Sequence, residues 1–260
     1  LAQLPKPSAL RPGLVPGVLS ILTLVLIWTL ASQLTDRPQT LPAPWHVAAR
    51  IGRLAATGEL WFNAGMTLFR VAASFALAMA AGVALGLWMG RSRAVDHWLN
   101  PATIILLNVP ALVVIVLCYI WIGLNETAAI LAVALNKIPV VTVMVREGTR
   151  ALRPDLGDMA RAFRMPPLRR LRHVVLPQLA PHLASAARAG ISLIWKIVLV
   201  VEFLGRSNGV GFKIHLLFSS FDVTGVLAWA LAFVAVMLAI DLFLLRPWER
   251  RANRWRQDAA

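Results

Sequence analysis

The sequence predicts an all-α membrane protein with six transmembrane helices and a cytoplasmic helix in the loop between spans four and five. Three observations carry this. Of 260 residues, 58% are hydrophobic and only 15% charged, against about 45–50% and about 25% in a soluble domain. Six apolar stretches are each near the roughly 20 residues that a helix needs to cross hydrocarbon. All but four of the 26 cations fall between those stretches rather than along them. The net charge of +14 therefore does not read as a nucleic-acid binder, whose charge is spread over a soluble fold. A single cysteine, Cys118, excludes an intrachain disulfide framework and a cysteine-rich metal site.

The spans are expected at Leu14–Leu34, Leu68–Gly90, Ile104–Ile122, Ala128–Val145, Ala184–Val201 and Gly225–Leu245. Barrel strands would alternate over about 10 residues, which these stretches do not do. The first is too long for a signal-peptide core and lacks a small-residue cleavage site after it, so it reads as a retained helix. With the N-terminus inside, the cytoplasmic segments hold 17 Lys and Arg, and the other side holds Arg37, Arg50, Arg53, Arg206 and Lys213. The positive-inside rule then places both termini in the cytoplasm. The chain reads as one domain, 1–260, with a cytoplasmic segment 1–13, a cytoplasmic loop at about 146–183 and a basic tail 246–260. Val47 to Leu54 is expected to form a short interfacial helix, and Trp45, Trp61, Trp98, Trp248 and Trp255 fall near predicted boundaries.

The loop after span four carries the clearest local pattern. Leu156, Met159, Ala160 and Phe163 recur at i, i+3, i+4 and i+7, one face of a helix. Asp155 and Asp158 favour its positive end, and Met165-Pro166-Pro167 stops it. An apolar stripe outside the membrane needs a surface to cover it: the protein's own membrane face or a partner.

Asp158-Met159-Ala160 followed by Val174-Val175-Leu176-Pro177 resembles the EAA signature of ABC importer permeases. Pro181 fits that family's second proline. Asp158 and Met159 replace its Glu and Ala, and Arg164 stands where it has a glycine, so the turn after the helix is expected to depart from the family's. Thr67-Leu68-Phe69-Arg70-Val71 with Gly82-Val83-Ala84-Leu85-Gly86 is similar to the family's second span. Asn100-Pro101, Val109-Pro110 and Trp121 to Thr127 resemble its third span and the following turn. Gly190, Trp195, Val201-Glu202-Phe203 and Gly209-Val210-Gly211 resemble its fifth span and outer loop. The likeness runs from about Leu41 to Arg246 and is nearest to the nitrate/sulfonate/taurine/bicarbonate branch.

The resemblance implies an importer subunit of the bacterial inner membrane that pairs, usually as a homodimer, and binds two ABC ATPase subunits. ATP and Mg would be held by those partners, and an extracytoplasmic substrate-binding protein would deliver cargo. Leu156, Asp158, Met159, Ala160, Phe163 and Arg164 would then form a coupling helix seated on the ATPase. The cargo implied is a small organic or inorganic anion such as a sulfonate, nitrate or bicarbonate.

The residues themselves agree in part. No Walker-type phosphate loop is present, so ATP hydrolysis is not expected of this chain. The five histidines lack zinc-ligand spacing. Ionisable residues inside a span usually face protein or a water path. On that basis Lys196, Trp195, Lys137, Asn136, Glu202 and Asn108 are the candidate path residues. Lys196 is expected to be buried at mid-span, and either it or Lys137 is expected to pair with Glu202 or Asp241 if it does not meet cargo. Arg70 reads as a residue that snorkels to headgroups. Ala78, Gly82, Gly86 and Gly90 would let a helix approach closely, within the subunit or across a dimer. Two other readings stay open: an importer of an uncharged or aromatic nutrient using Trp195, Tyr119 and Trp121, and a membrane-embedded enzyme or scaffold.

Overall fold

The computed structural model describes residues 14–35 and 39–245. The basic tail, Arg37 and the whole of the segment 1–13 lie outside the described residues. Among those residues, four helices are long and apolar enough to span a membrane: α1 (Leu14–Thr35), α3 (Glu59–Arg91), α6 (Glu126–Arg150) and α11 (Val223–Ile240, continued by a π-type turn). A bent pair, α4 (Arg93–Asn108) and α5 (Ala111–Ile122), makes five if counted as one span. The predicted Ala184–Val201 stretch lies within α9 (Leu176–Gly205), 30 residues long. Shorter elements are α2 (Pro44–Ala56), α7 (Pro154–Ala162), α8 (Pro167–Arg170) and α10 (Val210–Ser219).

One expectation needs correcting. The stretch Ile104–Ile122 is not a single straight span, because the chain bends by 99° between α4 and α5. Pro110 has no amide hydrogen to continue the ladder, and its ring drives the preceding residue out of the helical region. Val109 accordingly sits at φ −71°, ψ 125°. Pro110 then caps α5, and its carbonyl accepts from Val113 N at 3.0 Å.

Two cores build the bundle. In the first, Val71 of α3, Ile115, Cys118 and Tyr119 of α5, Ala128, Ala132 and Val133 of α6 and Ile194, Val198 and Val201 of α9 meet. In the second, Val47 and Leu54 of α2 pack with Leu60 and Ala64 of α3, Val210 of α10, and Trp229 and Phe233 of α11. Trp195 touches both cores, and its ring lies 5.9 Å from that of Phe233. The interfacial helix expected at Val47 to Leu54 is α2, whose apolar face is thus buried under the bundle while Trp45 stays exposed. Helix α1 stands apart. Its leucines and valines from Val18 to Leu34 remain exposed, and Trp28 Nε1 donates to Pro42 O at 3.1 Å.

The tightest contact is between α3 and α6, and glycine makes it possible. A Cβ at Gly82 would lie 2.6 Å from Val141 Cβ, and one at Gly86 would lie 2.7 Å from Thr142 O. At Gly90 it would meet the side chain of Thr149 at 2.5 Å. The small-residue stripe therefore packs inside one subunit, its backbone drawn close to α6 as small-residue interfaces allow.

Candidate functional site

At one end of the bundle a buried ionic clasp joins α3, α6, α9 and the segment between α9 and α10. Arg70 is 1% exposed and Glu202 is fully buried. Arg70 Nη1 donates to Glu202 Oε1 at 2.6 Å, while its Nε and Nη2 donate to Glu126 Oε2 and Oε1 at 2.9 and 2.7 Å. Its remaining donor capacity goes to the carbonyl of Asn208 at 3.0 Å and to the Asn208 side chain. Glu202 also accepts from the Thr67 hydroxyl at 2.9 Å and from Gly211 N at 2.8 Å. Arg206 Nη2 donates to the same Glu126 Oε1 at 2.6 Å, though its buried Nε has no hydrogen-bond partner among the described residues. Two cations and two carboxylates thus neutralise one another within a lattice of donors, the condition under which buried charge is tolerable.

The segment after α9 is shaped to fit this clasp. Gly209 takes φ 104°, a conformation that side chains resist, and any Cβ there would run into the Glu202 carboxylate. Its amide donates to Asn63 Oδ1 at 2.9 Å, and the next amide, that of Val210, donates to Thr67 Oγ1 at 2.9 Å. The Gly209-Val210-Gly211 motif is therefore a backbone lid over two side chains of α3.

Several expectations change here. Arg70 does not snorkel; it is the hub of the clasp. Glu202 pairs with Arg70 rather than with Lys196 or Lys137. Lys196, expected to be buried, is exposed on the single subunit, and its ammonium lies 5.6 Å from the Trp195 ring. It shares an exposed face of α9 with Leu193, Val200 and Leu204. Lys137 is 6% exposed in α6, and no hydrogen bond or ion pair holds it among the described residues. Asn136 beside it is half-buried. Asn108 is exposed at the α4–α5 bend, its Nδ2 donating to Ile104 O at 2.8 Å. The structure thus draws Glu202 away from the other candidates, and the clasp partners Glu126, Asn208 and Arg206 were not foreseen. Their signal was present only as polar residues at predicted span ends, which is where soluble loops place them too.

At the opposite end, Asp96 of α4 takes Arg146 Nη1 at 3.1 Å and Arg150 Nη2 at 2.6 Å, tying α4 to α6. Beyond this tie stands α7. Pro154 starts it, where a missing amide hydrogen is harmless. The Arg153 guanidinium beside Asp155 holds that exposed carboxyl below the usual carboxylate range. The predicted apolar stripe is split: Ala160 is 1% exposed and Leu156 half-buried, whereas Met159 is exposed and Phe163 is 77% exposed. Asp158 pairs with Arg161 on the same helix.

Arg164 explains its departure from the glycine pattern. It adopts φ 47°, the left-handed conformation that ends many helices. Met165 N donates to Ala160 O at 3.0 Å and Arg164 N to Arg161 O at 2.9 Å, the paired bonds of a Schellman ending. The helix ending is thus kept, with an arginine bearing the strain.

The profile of the family described as "Binding-protein-dependent transport system inner membrane component" matches residues 82–246. The chain is 28% identical over 254 residues to a Bacillus subtilis protein provisionally named as the aliphatic sulfonates transport permease SsuC, covering 97% of this chain and 92% of that one. It is 26% identical to the taurine transport system permease protein TauC of Escherichia coli over 92% of this chain and 88% of that one. It is 24% identical to the bicarbonate transport system permease protein CmpB of Synechococcus elongatus, with 94% of each covered. Among solved structures, the inward-facing MetNI methionine ABC transporter superposes with a TM-score of 0.62 at 17% identity, over 72% of this chain and 92% of that one. Match, relatives and fold agree. The chain belongs to the binding-protein-dependent transport system inner membrane components, the permease subunits of ABC importers.

Proposed function

We propose that this permease carries a small anion, a sulfonate, nitrate, bicarbonate or similar, along a water path between two copies of the chain. Lys196 is the observation that carries the reading. It lies in the second half of α9, within the predicted span, on a face that the subunit leaves open, among Leu193, Val200 and Leu204. A charged side chain near the bilayer centre costs about 2.5–3.5 kcal/mol on insertion scales, so this face is better suited to water than to lipid. A second copy presenting the same face would enclose two ammonium groups, an attractive lining for an anion and a repulsive one for a cation. The names of the sulfonate, taurine and bicarbonate relatives support the same cargo class.

The rest of the assembly follows the family. Two ATPase chains hold ATP and Mg, and an extracytoplasmic binding protein presents cargo at the clasp end. Six crossings are reached by counting α9 and the bent α4–α5 pair with the four long helices, with both termini cytoplasmic in the bacterial inner membrane. The α7 end then faces the ATPase, and Met159 and Phe163 are its exposed apolar contacts.

The test is Lys196→Met, which keeps the length and removes the charge. In the complete importer, uptake of taurine or a short alkanesulfonate should fall at least about tenfold while assembly with the ATPase is unchanged. Uptake equal to wild type at normal assembly would sink the anion-path role of Lys196. Reporter fusions near Arg50 and after Arg256 check the topology, the first reading outside and the second inside.

A further inference from the structure

A cavity of about 250 Å³ lies behind α7, between that helix and the segment from α8 to the start of α9. Its walls include Arg153, Gly157, Asp158, Arg161, Arg170 and Gln178. On α7, Pro154, Gly157, Asp158 and Arg161 follow i, i+3, i+4 and i+7, so one helical face lines it. At 3.6 residues per turn, Met159 and Phe163 project from roughly the other side of the helix. The cavity and the exposed apolar contacts therefore use opposite faces of α7.

The lining is cationic beyond what its own acids balance. Arg153 is paired with Asp155 and Arg161 with Asp158, but Arg170 has no carboxylate partner among the described residues. Its guanidinium lies over α7, 3.6 Å from where a Cβ on Gly157 would stand. Residues 153–183 hold six arginines and two aspartates, a net charge of +4. Gln178 is already engaged, accepting from Arg153 N at 3.0 Å and donating to Val174 O at 2.8 Å, which fixes that wall. Residues Leu171–Val175 form a π-type turn, and Val174 and Val175 from it line the same space. Such wide turns recur at functional sites.

We infer that this cavity binds a small tetrahedral oxyanion, held by the guanidinium groups of Arg170, Arg161 and Arg153. Guanidinium forks suit sulfate, sulfonate and phosphate oxygens, and charge-assisted bonds to them are the strong kind. Bound there, the anion would bridge α7 to the chain that follows it and brace the helix from behind without blocking Met159 or Phe163. Occupancy would thereby report the anion level on the α7 side to the ATP-driven cycle. That consequence rests on the proposed coupling role and cytoplasmic placement of α7; the binding itself does not. A free oxyanion and a lipid phosphate share this chemistry, and we assign the cavity to the free ion.

The experiment uses the complete importer in nanodiscs of phosphatidylcholine. Sodium sulfate is titrated at constant ionic strength maintained with sodium chloride, and binding is followed by calorimetry alongside ATP turnover. Saturable sulfate binding that changes ATP turnover is expected. Arg170→Ala should weaken binding by about tenfold or more, and Arg170→Lys by less, since a point charge replaces a fork. No saturable binding, or equal binding by Arg170→Ala, would overturn the site. Turnover that responds to phosphatidylglycerol but not to sulfate would give the cavity to lipid and overturn the free-ion assignment. Sulfate binding without any change in turnover would overturn the bracing role. The coupling role is read separately, from uptake by Phe163→Asp, so its failure is distinguishable from loss of sulfate binding.

Discussion

The clasp and helix α7 of this permease hold their charges in opposite ways. At the clasp end, Arg70, Glu202, Glu126 and Arg206 share dense hydrogen bonds, and the first two are sealed from solvent. At the α7 end, Arg153–Asp155 and Arg161–Asp158 are neighbours in sequence and open to water. A buried, crosslinking network joins three long helices and a turn into one body. Exposed local pairs join nothing distant and leave their helix free to answer a partner. The difference fits the coupling role proposed for α7, in which that helix answers a partner while the clasp keeps its shape.

Breaking the clasp should have the largest effect. Arg70→Met leaves Glu202 buried without its cation, and removal of one partner of a buried pair costs about 3–5 kcal/mol. A marked drop in the melting temperature of the purified permease is expected, with substantial recovery in Arg70→Met combined with Glu202→Gln. A single variant as stable as wild type would show that the clasp is not the rigid element. Next comes the α3–α6 contact, where Gly86→Leu must separate two backbones. Overpacking of this kind costs about 1–3 kcal/mol or more, read as lowered membrane levels and thermal stability.

Two substitutions on α7 sharpen the contrast between its faces. Phe163→Asp alters a side chain that touches water, so the permease should reach the membrane normally while uptake falls steeply. Ala160→Arg instead forces a long charged side chain into a buried position and should lower the amount of folded permease as well. Equal membrane levels for the two would remove the distinction between an inward and an outward face. The smallest effect is expected from Arg164→Gly. Relief of the left-handed arginine should stabilise the end of α7 by about 1 kcal/mol, visible as slower hydrogen exchange at the Met165 amide.

The glycine stripe and the short helix of the loop after α6 are legible because each rests on local stereochemistry. Small residues every fourth position announce a close helix partner, though not which one. Val109-Pro110 lay in plain view, yet a hydropathy reading runs straight through it because both residues are apolar. Arg164 looked like an anomaly in the family pattern until its φ showed that the turn had been kept. Lys196 was misplaced for a different reason. Depth along a helix is readable from sequence, but the direction a side chain faces depends on which neighbours cover it.

Sequence alone determined the membrane class and the run of long helices, because a spanning helix satisfies its backbone within its own residues. Only the tertiary structure decided the partnership of charges. Arg70 is 56 positions from Glu126 and 132 from Glu202, and Coulomb attraction selects among side chains by distance in space, after packing has set which helices meet. The close approach of α3 to α6 and the fold of Gly209 against Glu202 bring them together. A residue that reads as a stray cation in one dimension is, in three, the centre of the most tightly held part of the molecule.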